Sequence, residues 1–123
     1  MKINREDGKT DEIDFSFRYV LSSGEKAQSV LRKIRQKSFL YEYFEPKRGP
    51  NHVITIDLEL SFDANFIFEI NKELELAKEE CGFWFSINSD FDSGGFSVPD
   101  WIVEYMNIIG GKVDFSFIAG SLD

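Results

Sequence analysis

The side chains in this sequence that could do chemistry are carboxylates set among aromatics. Asp90 and Asp92 flank Phe91 in a Gly-containing loop from Asn88 to Trp101, Asp100 follows, and Glu79 and Glu80 precede the same region. A second set, Asp14, Asp57, Glu59 and Asp114, shares the polar side of alternating segments with Trp84. Paired carboxylates act as acid and base in glycoside hydrolysis. That work needs one carboxyl at a raised pKa in a cleft, and an open sheet gives little burial to raise it. The loop also spaces Asp90, Asp92 and Gly95 like the start of a calcium loop, but Gly94 stands at position five and Trp101 where a bidentate Glu belongs. No Gly-rich phosphate loop carries the required lysine. His52, the single histidine, has no nucleophile motif beside it. The lone Cys81 rules out an internal disulfide or a cysteine zinc site, and reads as a buried inert thiol. We therefore expect no enzyme, metal or cofactor. A mixture of carboxylates and aromatics on a loop is what a protein interface uses.

The elements that must position these residues are legible in places. From Gly82 the chain reads as a strand (83–88), an acidic loop, a helix (98–109) and a closing strand (112–119). Ser97 and Asp100 suit an N-cap and capping box, Phe96 and Trp101 a hydrophobic staple, and Gly110 and Gly111 a helix stop. Only Phe91 has no packing explanation of this kind. Upstream, residues 1–11 lack periodicity and read as a flexible tail before a single domain over 12–123. Ile13, Phe15, Phe17, Tyr19 and Leu21 alternate with Asp14, Ser16, Arg18 and Val20, the pattern of a half-buried strand.

A helix with a basic outer face follows, capped by Ser22 with Glu25 and running to about Lys37. Phe39–Phe44 and Val53–Leu60 read as a hairpin. Asp63 then caps a helix whose stripe Ile67, Ile70, Leu74, Ala77 and Cys81 ends at Gly82, although Phe66, Phe68 and Ile70 also alternate like a strand. In that helix Glu79 and Glu80 oppose the dipole at its C-terminus, which makes partner recognition worth weighing.

The predicted order is an α+β fold: a two-layer ferredoxin-like core, βαββαβ, extended by a helix and a strand. Its helices cover one face of a mainly antiparallel sheet, leaving the other open. Phe17, Phe115 and Phe117 are expected inside.

Charge narrows the partner. The net charge is −8, with 11 Lys/Arg against 8 Asp/Glu in residues 1–50 and 3 against 14 in residues 51–123. Such a field repels nucleic acid and attracts a basic protein. No apolar run reaches the length of a membrane span and the N-terminus is too charged for a secretory signal, so a cytoplasmic protein is expected.

The run Gly94-Gly95-Phe96-Ser97-Val98-Pro99, a short helix, Gly110-Gly111 and then Lys112-Val113-Asp114-Phe115 resembles the C-terminal half of a bacterial domain-of-unknown-function family, some of whose members accompany toxins. In size, acidity and lack of catalytic motifs the whole chain resembles the immunity proteins of contact-dependent inhibition and related polymorphic toxin systems. The resemblance implies a stoichiometric protein-binding domain that neutralises a cognate basic toxin, a nuclease for example, by blocking its active site. The alternative is a domain that binds a small ligand or carbohydrate on the open sheet face. Two places are candidates for the interface. One is the loop with Asp90, Phe91, Asp92, Asp100, Glu79 and Glu80, and the other is the sheet face with Asp57, Glu59, Trp84, Asp14 and Asp114.

Overall fold

Alternation between Ile13 and Leu21 builds the strand on which the molecule is assembled. In the computed structural model, which describes residues 2–4, 10–88 and 98–118, this strand is β2 (Thr10–Leu21). A short β1 (Lys2–Asn4) pairs with its first residues, so part of the expected N-terminal tail belongs to the sheet. The order continues α1 (Gly24–Ile34), β3 (Tyr41–Phe44), β4 (His52–Asp57), α2 (Ala64–Glu73), a 3-10 turn (Lys78–Glu80), β5 (Cys81–Asn88), α3 (Asp100–Ile109) and β6 (Lys112–Ile118).

The sheet runs β3-β4-β2-β5-β6 and is antiparallel throughout except for the parallel pair β5–β6, with β1 alongside the start of β2. The fold is thus α+β, and the βαββαβ order from β2 to β5 places β4 between the two strands joined by α1. No helix among the described residues is long and apolar enough to cross a membrane.

Period-two alternation sends one set of side chains under the helices. Ile13, Phe15, Phe17, Tyr19 and Leu21 are buried there with Ile54, Ile56, Phe83, Phe85 and Ile87, against Val30, Leu31 and Ile34 of α1, Ile67 and Ile70 of α2, and Ile102 and Tyr105 of α3. Phe17 sits at the centre, edge-on to Tyr19 and Phe83 at 5.2 Å each, with Phe62 at 6.5 Å. Such offset geometries are those the aromatic quadrupole favours. Phe115 points to the same side but is 60 % exposed, contrary to expectation, because β6 is the last strand of the sheet and α3 packs toward α2 and the loop after β4. The Phe117 side chain lies outside the described residues.

Local signals are partly met. Asp63 caps α2, its carboxylate accepting from the Phe66 N–H at 3.0 Å, and Phe66–Ile70 are helical. The α1 cap is Ser23, one residue after the expected Ser22, accepting from the Lys26 N–H at 3.2 Å, and the helix ends at Ile34. The last helix begins at Asp100 with Pro99 in the cap position and no side-chain cap bond, which displaces Ser97 from that role. Proline is tolerated where a helix start leaves the N–H unused. Ser97 and Phe96, and with them the expected box and staple, lie outside the described residues. Gly110, at φ 71°, stops this helix as expected.

Helix α2 ends at Glu73 and not, as expected, at Gly82. Glu75 adopts a left-handed φ of 52° and the Leu76 N–H returns to the Asn71 carbonyl at 3.0 Å, a helix-terminating loop. Cys81 and Gly82 then belong to β5, opposite Tyr19 and Arg18. Helix-forming composition over Lys72–Glu80 is overridden because pairing and burial on the sheet recover more than propensity supplies.

Candidate functional site

The other side of the strands carries the polar set, and the register aligns it into rows. Phe44, Val53 and Val20 form the row at the hairpin end; Glu42, Thr55, Arg18, Gly82 and Lys112 form the next. Asp57, Ser16, Trp84 and Asp114 follow, then Asp14, Ser86 and Ser116. The buried apolar residues of all three helices pack against the opposite side, so this face is open among the described residues.

Trp84 and Arg18 occupy its centre. The guanidinium carbon of Arg18 lies 4.2 Å from the Trp84 ring centroid, a cation–π stack. The stack desolvates Arg18, so burial lowers its pKa from the usual guanidinium value while the charge of Asp114 opposes that shift. Its Nε is buried and has no hydrogen-bond partner among the described residues. Beside it Lys112 Nζ approaches Asp114 at 3.7 Å. Ser16 is the one buried polar residue among those described, its hydroxyl donating to the Trp84 carbonyl at 3.3 Å, which ties β2 to β5 under the stack.

Gly82 leaves a notch in this surface. A Cβ there would stand 2.7 Å from both the Lys112 carbonyl oxygen and its Cγ, so the close β5–β6 approach demands glycine. The resulting opening, about 70 Å³, is lined by Arg18, Val20, Trp84, Lys112 and Asp114 among others.

The carboxylates of the sheet separate into two groups. Asp14, Asp57 and Glu59 share a shallow depression of about 430 Å³ with Trp101, whereas Asp114 joins Trp84 and Arg18. Tyr105 fixes the rim of the acidic depression: its hydroxyl donates toward the Glu59 and Leu60 carbonyls, each at 2.9 Å. Burial pushes the Tyr105 phenol up. No group of His, Cys, Asp and Glu side chains suited to a metal ion occurs among the described residues.

The loop candidates fare differently. Asp90, Phe91 and Asp92 lie outside the described residues. Asp100 is exposed in the first turn of α3, where its charge suits the helix dipole. Glu79 is exposed in the 3-10 turn. Glu80 is committed to the fold: the Ala77 N–H, at 3.0 Å, holds its carboxyl below the usual range, and Lys26, at 3.1 Å, adds to the effect. Neither glutamate opposes a helix dipole, since α2 has ended at Glu73.

Two other reactive side chains are also absorbed. His52 Nδ1 lies 2.8 Å from the Tyr43 hydroxyl with the rings stacked. Burial, followed by the nearby Glu80 charge, pushes the Cys81 thiol up to about 11, which keeps it protonated at neutral pH.

Arg18, Gly82 and Lys112 were missed as site residues by reading the sequence. The alternation placed Arg18 on the open side, but its stack on Trp84 depends on the β2–β5 register, which no local signal carries. Comparison with protein-family models, curated proteins and solved structures finds no match.

Proposed function

We propose that this chain is a stoichiometric protein-binding domain of the immunity type, which neutralises a cognate basic toxin by seating the open sheet face over its active site. The observation that carries the reading is Trp84 with Arg18 stacked on it at 4.2 Å, central on a sheet face that the helices leave uncovered. Trp and Arg in a partly desolvated central position are the residue types that dominate binding energy at protein interfaces. Asp14, Asp57 and Glu59 gather at one end of the same face, where they suit a basic partner and would speed its approach.

The carbohydrate reading is weaker on the same geometry. A sugar stacks on a free aromatic face, whereas Arg18 already covers one face of Trp84. The adjacent notch of about 70 Å³ is also well below the ~300–1,000 Å³ of small-molecule pockets, and the depression of about 430 Å³ at Asp14, Asp57 and Glu59, though within that range, is shallow and open.

The test is co-production in a bacterial host with the product of the gene immediately upstream. The proposal expects that product alone to arrest growth, this chain to restore it, and Trp84→Ala to abolish the rescue. An upstream product that leaves growth unchanged, or toxicity that this chain does not relieve, overturns the immunity reading.

A further inference from the structure

The notch at Gly82 holds more positive than negative charge on a protein that is otherwise acidic. Among the described residues Arg18 and Lys112 line it against one carboxylate, that of Asp114, which faces Lys112 at 3.7 Å and acts on Arg18 as well. The Arg18 Nε–H is buried with nothing to donate to among the described residues. A buried donor of this kind costs about 1–3 kcal/mol when unmade, and more when charged, so a slight turn of the side chain that brings the Nε–H to an acceptor in the notch is favoured. Size points the same way. The opening of about 70 Å³ exceeds the ~10–15 Å³ that one water needs and is far below the ~300–1,000 Å³ of small-molecule pockets. Carboxylate is the group whose planar oxygen pair matches the guanidinium fork.

We propose that the Gly82 notch is a receptor for one carboxylate, an Asp or Glu side chain of the partner protein, held between Arg18 and Lys112 while the Trp84 ring keeps the guanidinium in place. This rests on the protein-binding reading and sharpens it. The partner presents basic residues to the Asp14, Asp57 and Glu59 end and a single acidic residue to the notch, a charge pattern that sets register and rejects uniformly basic surfaces. Gly82 matters twice, allowing β6 to approach and leaving the space the carboxylate fills.

The notch can be tested without the partner. In the isolated protein, labelled with nitrogen-15, the Arg18 Nε–H resonance is assigned by its loss in Arg18→Lys and followed during titration with sodium acetate, with sodium chloride at matched ionic strength as control. The expected result is a saturable shift with acetate and none with chloride. Lys112→Met should weaken acetate binding about tenfold, the loss of one charge-assisted hydrogen bond. Equal shifts with both salts, or acetate binding unchanged in Lys112→Met, overturn the proposal. A third arm uses succinate: if it binds more than about 100-fold tighter than acetate, a gain of ~2.7 kcal/mol, the notch serves a free small carboxylate and not a partner side chain. Failure here leaves the growth-rescue test standing, and failure of the rescue leaves the acetate result standing.

Discussion

The two faces of the sheet are made by the same strands and by residues that alternate one by one, yet they are built differently. On the helix side Phe17 meets Tyr19 and Phe83 edge to face, Phe83 lies tilted against Phe85, and together they exclude water. On the open side their neighbours Arg18 and Trp84 stack, half-exposed, with a buried donor unsatisfied and a gap at Gly82. The helix side is complete in itself, whereas the open side keeps an unmet hydrogen bond and an unfilled space. The comparison predicts that substitutions on the first face change stability and those on the second change binding.

The sharpest way to break it is to compare two phenylalanines on the helix side. Phe17→Ala removes a fully buried ring and should cost about 3–5 kcal/mol in urea unfolding, whereas Phe115→Ala, at the uncovered edge, should cost about 1 kcal/mol or less. Equal losses would mean that β6 is covered.

Alkaline pH probes the helix side through Cys81. The folded thiol keeps its proton up to about 11, while in the unfolded chain it titrates near 9.0. Between those values the native state binds more protons than the unfolded state, so stability is intact below pH 9 and falls as pH rises, by roughly 3 kcal/mol at full extent. Tyr19, whose phenol burial raises well above 10.0, adds a loss that begins higher. Chemical unfolding at pH 8.5 and 10 should therefore show a smaller pH dependence for Cys81→Ala than for the parent chain; identical slopes would remove Cys81 from the account.

A smaller effect tests the join between the faces. Tyr105→Phe deletes the hydroxyl that holds the Glu59 and Leu60 carbonyls, and should cost about 1 kcal/mol while leaving the Arg18–Trp84 stack intact. Thermal unfolding gives the first quantity, and the Arg18 Nε–H resonance the second.

Much of the helix side was legible because it obeys local rules. Alternation from Ile13 to Leu21, the Asp63 cap and the Gly110 stop each need only neighbours in sequence. Cys81 and Gly82 were misassigned because glycine after a helix-forming run has the same local signature whether it ends a helix or opens a strand beside a crowded neighbour. Only the pairing of Gly82 with Lys112 decides between them. Phe115 failed for a related reason: period two gives the side of a strand but not whether a helix reaches it.

The charge asymmetry was real, but much of it is settled internally. The basic α1 and the turn after it meet the acidic segments through Lys26–Glu80, Lys33–Glu73 and Lys37–Asp63, pairs that join residues 26 to 54 positions apart. The Arg18–Trp84 stack likewise needs the register of two strands far apart in the chain.

The central claim is that the open face, through Trp84, is the interface. Titration calorimetry of the purified chain against the upstream gene product measures it directly, with Trp84→Ala beside a variant carrying Asp90→Lys and Asp92→Lys. The account predicts that Trp84→Ala keeps its unfolding transition but loses at least about 2 kcal/mol of affinity, roughly thirtyfold. Affinity unchanged in Trp84→Ala but lost in the Asp90 and Asp92 variant would contradict the account and place the interface on the acidic loop.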